Sequence, residues 1–370
     1  MIIGVPKEVK TQEYRVGMVP GGVAEMVRRG HTVHLQQGAG EGAGFSDEQY
    51  ITAGAQIIPT AEEVWGKADM VVKVKEPIAQ EYGFFRENLV LYTYLHLAAE
   101  QELTRQLADK GVFSIAYETV ELADGCLPLL KPMSEIAGKM STQAGSHHLQ
   151  KEQGGRGMLL GGTPGTQRAK VVIVGGGTVG TNAAKIAVGM GAETYLLDVN
   201  LNRLEYLDDV FGGRLNTVYS NPANIGELAS QADLLVGAVL IPGAKAPHLV
   251  TEDMVKNMLP RSVIVDVAID QGGCVETARG TNHEEPTYLK HDVLHYCVTN
   301  MPGAVARTST LALTNATLGY ALNLADKGAM AAVQADRSLE LGVNTYKGHI
   351  VYEAVAEAHN MGFTPLKDLL

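Results

Sequence analysis

The stretch Lys170-Val171-Val172-Ile173-Val174-Gly175-Gly176-Gly177-Thr178-Val179-Gly180 limits the possible folds of this chain more than any other. Val171–Val174 predicts a buried strand running straight into glycines at the first, third and sixth places of G-x-G-x-x-G, with the apolar helix 183–188 behind them. Each glycine has its own reason: Gly175 for the tight turn, Gly177 for backbone approach to a pyrophosphate, Gly180 for helix-on-strand packing. The helix end, rich in amides and dipole-positive, then receives the phosphates. The next strand, 194–198, ends in Asp198, where a dinucleotide fold places the acid that holds the adenosine ribose hydroxyls. A carboxylate there would repel a 2′-phosphate, so NAD is expected over NADP. Arg203, five residues on, is either a solvated helix residue, a neighbour of the adenine or a softener of that preference. A turn serving another nucleoside, such as a methyl-donor cofactor, would use similar glycines and a similar acid.

At 370 residues the chain is too long for one ordinary core and predicts two domains; with 45% hydrophobic residues it can fill them. The net charge of -11, without a block of basic residues, argues against nucleic acid as a partner. Three cysteines, Cys126, Cys274 and Cys297, lack C-x-x-C spacing, so buried free thiols are expected rather than a disulfide framework or zinc site. No ligand cluster suggests any other metal. Pro, Asn, Asp or Gly interrupts each apolar run before bilayer length, and the start has no long apolar signal core, so no membrane partner and a cytoplasmic location are expected.

Up to about residue 130, short apolar strands (1–5, 32–36, 56–58, 70–74, 89–94, 112–116) alternate with helical runs (19–29, 47–53, 61–66, 98–110). That alternation implies a mostly parallel, doubly wound sheet, whose functional groups collect just past the carboxyl ends of the strands. Three residues fit: Arg15 in the loop after the first strand, Lys75 closing Val71-Val72-Lys73-Val74-Lys75, and His96 after Leu91-Tyr92-Thr93-Tyr94-Leu95. Each has a plainer reading as well: a solvated cation, a lysine pair on an edge strand, and a packing histidine.

A helix is expected over 134–150 with Ser134 as N-cap, followed by a glycine-rich connection at 154–165. Six strands then recur, at 171–174, 194–197, 216–219, 234–240, 263–267 and 294–298, matching the two halves of a dinucleotide-binding domain. Asp266 falls inside an apolar strand and predicts a structural acceptor, whereas Asp270 lies beyond it in a loop. The tail predicts three helices, 308–325, 329–337 and 346–359, with no further sheet; 311–324 is either an oligomer interface or a buried interdomain helix. The fold class expected is α/β, two doubly wound Rossmann-like domains with a cleft between them. Residues 1–130 with 305–370 form the substrate domain and 131–304 the NAD-binding domain.

Five motifs, Gly4-Val5-Pro6-Lys7-Glu8 with Glu13-Tyr14-Arg15-Val16, Lys73-Val74-Lys75-Glu76-Pro77, Tyr94-Leu95-His96-Leu97-Ala98, Lys131-Pro132-Met133-Ser134-Glu135-Ile136-Ala137-Gly138 and Asn300-Met301-Pro302-Gly303-Ala304-Val305, closely resemble the alanine dehydrogenase family, in order and end to end. That family includes the NAD-binding portion of proton-translocating transhydrogenase. Tyr14 stands where the family often has a second charged residue. The resemblance implies NAD-dependent oxidative deamination of L-alanine to pyruvate and ammonium, and the reverse, through an iminium. It implies that Arg15 and Lys75 clamp the substrate carboxylate, that His96 is the acid/base and that Asp270 sits by the reacting carbon. Ser134, Gly177, Val179, Asp198, Arg203, Ser220, Val239, Leu240, Arg279, Asn300 and Met301 would line the NAD site, with Gly175 and Gly180 shaping it. A homo-oligomer, a hexamer, is implied too. The competing class is a noncatalytic NAD-binding subunit or sensor.

Overall fold

The computed structural model describes residues 1–239 and 247–370. Leu240, assigned above to the cofactor site, lies outside the described residues. The chain divides into two compact units, Met1–Met133 with Val305–Leu370, and Ser134–Ala304.

The first unit opens with β1 (Ile2–Val5), β2 (Thr32–Gln36), β3 (Gln56–Ile58), β4 (Met70–Val72), β5 (Val90–Thr93) and β6 (Phe113–Ala116). These pair in parallel in the order β3-β2-β1-β4-β5-β6. Every residue of β4, β5 and β6 is buried, as helices on both faces of a parallel sheet require. Winding reverses between β1 and β4, so a crevice opens past their carboxyl ends. Lysines on an edge strand are thereby excluded, because β4 lies between β1 and β5. The helix expected at 98–110 begins only at Gln101: His96–Glu100 is taken up by two tight turns, Ala99 N–H to His96 C=O and Glu100 N–H to Leu97 C=O.

The second unit contributes β7 (Lys170–Val174), β8 (Glu193–Asp198), β9 (Asn216–Tyr219), β10 (Leu234–Gly237), β11 (Val263–Asp266), β12 (Thr287–Lys290) and β13 (Val293–Tyr296). Their order, β12-β13-β11-β10-β7-β8-β9, reverses between β7 and β10, beside the glycine motif. Alternate residues of β7 feed two cores: Val171 and Ile173 pack on one face, Val172 and Val174 on the other. Burying each such side chain stabilises by roughly 1.5–3 kcal/mol. Strand β12 is a seventh where six were expected. It pairs antiparallel with β13 through the two-residue turn His291-Asp292, both at positive φ, so the hairpin lacks the usual Asn-Gly signal. The helix Lys131–His148 starts three residues before Ser134, which therefore lies in its first turn and is not its N-cap.

The tail also corrects the expectation of helices alone. After the helix Ala306–Lys327, strands β14 (Val343–Tyr346) and β15 (His349–Ile350) extend the first sheet, β14 antiparallel to β6. Thr345 Oγ1 bonds Ser114 Oγ at 2.8 Å and Val112 O at 2.9 Å, fixing the join. Lys347-Gly348, both at positive φ, turns the hairpin, and only Glu353–His359 of the expected last helix is helical. The helix Ala306–Lys327 belongs to the core of the first unit: Thr310 Oγ1 accepts from Val16 N–H at 3.3 Å and Thr317 O from Tyr92 OH at 3.3 Å.

Candidate active site

Arg15, Lys75 and His96 follow β1, β4 and β5, which places all three past the carboxyl ends of three adjacent strands of the first sheet. The loop carrying Arg15 can approach β4 because Gly17 has no side chain, and an added Cβ would lie 2.6 Å from Val72 O. Arg15 is buried at 2% exposure. Its Nε and Nη2 donate to the two oxygens of Glu13, at 2.7 and 2.6 Å, and Nη1 lies 3.2 Å from Met133 Sδ. Burial opposes the charge, and the Glu13 carboxylate more than offsets it, so the guanidinium stays protonated above its ordinary range. Lys75 is half-buried at the end of the same strand run.

Beneath these groups lies a second charged layer. Lys73 is fully buried, its ammonium 2.9 Å from Glu81 and 3.2 Å from Glu8, and Glu8 also accepts the Val74 N–H at 2.7 Å. Two carboxylates keep this ammonium charged against the cost of burial. Truncating one partner of such a pair leaves an uncompensated charge, at about 3–5 kcal/mol. The network fixes the backbone on which Lys75 and Glu76 stand.

His96 sits at φ 51, in the left-handed region, a conformation that costs a non-glycine residue on the order of 1–3 kcal/mol. Its ring stacks on Tyr94, with centroids 5.9 Å apart, and its side chain is 41% exposed. Two carboxylates flank it: Glu76 Oε2 is 4.0 Å from Nε2 and Glu118 Oε1 is 4.0 Å from Nδ1. Glu118 also accepts the backbone N–H groups of Leu95 and His96. Glu76 is ion-paired to Lys10. Burial raises its carboxyl, but His96, Lys75 and Lys10 together bring it below the ordinary range. The cluster thus has fixed cations and a partly exposed imidazole, a combination suited to orienting a small carboxylate and moving protons beside it.

In the second unit Gly175 takes φ 108, and an added Cβ would lie 2.8 Å from Ala238 O. At Gly180 it would overlap the carbonyl oxygen of Gly175, whereas at Gly177, the N-cap of the helix Thr178–Gly189, it would meet nothing within 4 Å among the described residues. The open cradle at Gly177 fits a pyrophosphate against the helix amides. Asp198 ends β8 with Oδ2 accepting the Gly176 N–H at 2.7 Å. Arg203 is not a solvated helix residue: Nε donates to Gly176 O and Nη2 to Thr181 Oγ1, each at 2.7 Å. Ser220, just past β9, donates its N–H to Asp198 O, and Val239 follows β10. Val179, in the first turn of the motif helix, is where the helix Lys131–His148 crosses closely: a Cβ on Gly138 would overlap Val179 O, one turn after Ser134.

Asp270, Arg279, Asn300 and Met301 lie past β11 and β13, at the same end of the sheet. Asp270 is exposed in the 3-10 turn Val267–Gln271. Arg279 stacks over Tyr288 at 4.4 Å, Asn300 takes φ 59, and Met301 is buried in the core. Asp266, by contrast, is fully buried and accepts the Ala268 and Val275 N–H groups, each at 3.0 Å. Gly237 and Gly273 leave room for it, since a Cβ on either would come within 3.0 Å of its oxygens. Burial pushes its carboxyl up to about 6 despite those donors.

Sequence reasoning had not singled out Glu13, Glu76 or Glu118. Glu13 carried a signal, two residues from Arg15 on a tight loop; Glu118 carried none, because only the register of β5 on β6, Thr93 beside Ala116, brings it to His96.

Residues 4–137 match the family description "Alanine dehydrogenase/PNT, N-terminal domain", and residues 141–353 match "Alanine dehydrogenase/PNT, C-terminal domain". The chain is 58% identical over 371 residues to an alanine dehydrogenase of Methanococcus maripaludis and 57% identical to alanine dehydrogenase 2 of Staphylococcus aureus, covering all of this chain and of each relative. A solved L-alanine dehydrogenase structure superposes with TM-score 0.94 at 52% identity over the whole of both chains. A transhydrogenase from Sinorhizobium meliloti shares the fold, with TM-score 0.83 and 24% identity over 95% of this chain and 100% of that one. With both domains matched in order and full-length relatives above half identity, this chain belongs to the alanine dehydrogenase/PNT family.

Proposed function

We infer that the cluster past β1, β4 and β5 is the substrate site of an NAD-dependent amino-acid oxidoreductase. The chain catalyses the interconversion of L-alanine with pyruvate and ammonium. A noncatalytic NAD-binding subunit is not favoured, because a sensor has no use for two cations and an imidazole converging past neighbouring strands. That convergence is the observation that carries the reading.

Arg15, aligned by Glu13, and Lys75, aligned by the Lys73 network, hold the substrate carboxylate and so fix the α-carbon in one orientation. When bound, NAD supplies the hydride acceptor. Gly175, Gly177, Val179 and Gly180 shape its pyrophosphate cradle, and Asp198 takes its ribose. Arg203, Ser220, Val239, Ser134, Arg279, Asn300 and Met301 complete the lining. His96 accepts the proton from the water that attacks the oxidised substrate and returns it to the departing ammonia. Asp270 supplies the carboxylate that stabilises the positive charge at the reacting carbon. Among the described residues no helix is long and apolar enough to cross a membrane. A cytoplasmic homo-oligomer, a hexamer as the family resemblance implies, fits this role, and light scattering of the purified protein tests it.

The direct test of the substrate site is steady-state kinetics of Arg15→Ala and Lys75→Ala in the pyruvate direction. Each variant raises KM for pyruvate, with some loss of kcat as orientation is lost, and leaves NADH binding unchanged. Unaltered KM for pyruvate in both variants would remove the clamp from this cluster.

A further inference from the structure

His96 is held by backbone as much as by side chain, and what holds it comes from another strand. Strands β5 and β6 run in parallel register as far as Thr93 beside Ala116. Beyond that point the ladder stops, and the N–H groups of Leu95 and His96 would have no carbonyl opposite them. Glu118, in the 3-10 turn Tyr117–Thr119 after β6, fills the gap. One carboxylate oxygen accepts both N–H groups, the other lies 3.3 Å from the Leu95 N–H, and the first also stands 4.0 Å from His96 Nδ1. The carboxylate therefore replaces the missing rung and locks the residue that takes the left-handed conformation, φ 51. On the other side of the imidazole, Glu76 Oε2 is buried, without a hydrogen-bond partner among the described residues, 4.0 Å from Nε2. Its other oxygen is taken by Lys10. Nothing in the imidazole's own contacts fixes the ring as firmly as Glu118 fixes its backbone.

We propose that Glu118 is the positioning residue of His96: by binding the two backbone N–H groups it sets the direction in which the imidazole exchanges protons, without itself touching the substrate. This rests on the reading of His96 as the proton-transfer group.

A double-mutant cycle over Glu118→Ala and His96→Ala tests it, with kcat, KM for pyruvate, NADH affinity by fluorescence and Tm measured for all four proteins. Glu118→Ala should lower kcat on the order of 10- to 100-fold, the scale of a small misplacement of a catalytic group, with NADH affinity unchanged and KM for pyruvate little altered. In the His96→Ala background the same change should cost less than about threefold, because residues that act as a unit are not additive. Glu118→Gln keeps an oxygen that can accept both N–H groups and should recover most of the lost kcat. If the alanine variant does not fold, Glu118→Asp, one methylene shorter, takes its place in the cycle. With His96→Ala slow, a Glu118→Ala enzyme of near-normal kcat, or one whose loss multiplies fully with that of His96→Ala, would overturn the positioning role and leave the proton-transfer reading intact. A His96→Ala enzyme of near-normal kcat would overturn both.

Discussion

At the scale of single residues, His96 is the group proposed to move the protons. His96→Ala should bind NADH as the unaltered protein does and lose turnover by a factor on the order of 100 to 10,000, the usual contribution of a positioned proton-transfer group. Retention of most of the activity, measured by pyruvate-dependent NADH oxidation, would return the residue to simple packing. Asp266 provides the contrasting case of a carboxyl that supports structure. Its folded-state value, about 6, lies above the ordinary 3.8, so the fold favours the protonated form. That preference stabilises fully below about pH 4 and is lost as pH rises through about 6, a change of up to roughly 3 kcal/mol. An asparagine does not titrate, and it presents an amide donor to one of the two N–H groups that Asp266 binds. Asp266→Asn should therefore lower Tm, and its gap to the unaltered protein should narrow from about pH 4 to about pH 7. A gap that widens over this interval would contradict the buried-carboxyl reading. Residue types at strand ends were legible in the sequence for Lys75 and His96, where a polar group stands in or just after an apolar run; Arg15 lies in a polar loop, where a solvated cation is the plainer reading. Of their partners, Glu13 is signalled by lying two residues from Arg15, whereas Glu118 is not, since its pairing depends on a strand register that residue types alone do not encode.

At the scale of elements, the two parallel sheets were readable because fully buried strands leave continuous apolar runs. The two antiparallel hairpins were not, because β12–β13 and β14–β15 turn through His291-Asp292 and Lys347-Gly348 rather than the usual Asn-Gly, and β14 buries the polar residues Asn344 and Thr345. The helix before the second unit begins at Lys131 rather than at Ser134, and Pro132 in its first turn is the signal for that earlier start. The glycine motif, by contrast, separates cleanly into structural and functional positions. Gly180→Ala forces a Cβ into the carbonyl of Gly175 and should destabilise by about 1–3 kcal/mol, read as a lower Tm. Gly177→Ala meets no atom of the described residues within 4 Å and should leave Tm unchanged while weakening NADH binding about tenfold, roughly 1.4 kcal/mol. Undiminished NADH affinity in Gly177→Ala would move the pyrophosphate away from this helix end.

At the scale of the whole molecule, the proposed function gives each unit one half of the reaction: to the first a carboxylate clamp with an acid/base, to the second a dinucleotide cradle ending in Asp198. The acid sets cofactor choice, so NAD should be strongly preferred over NADP. Asp198→Ala should raise KM for NAD more than it lowers kcat, because ribose contacts are made alike in ground and transition states. Equal use of NAD and NADP by the unaltered protein would count against the ribose carboxylate. The clamp proposed for Arg15 and Lys75 would fix the substrate carboxylate and with it the α-carbon, so a small amino acid should be preferred over larger ones. The central claim is therefore tested most directly by adding amino acids one at a time to the purified protein with NAD and following the near-ultraviolet absorbance of NADH. L-alanine should drive NADH formation with a higher kcat/KM than leucine or glutamate; no NADH with L-alanine, or a higher kcat/KM for either larger amino acid, would contradict it.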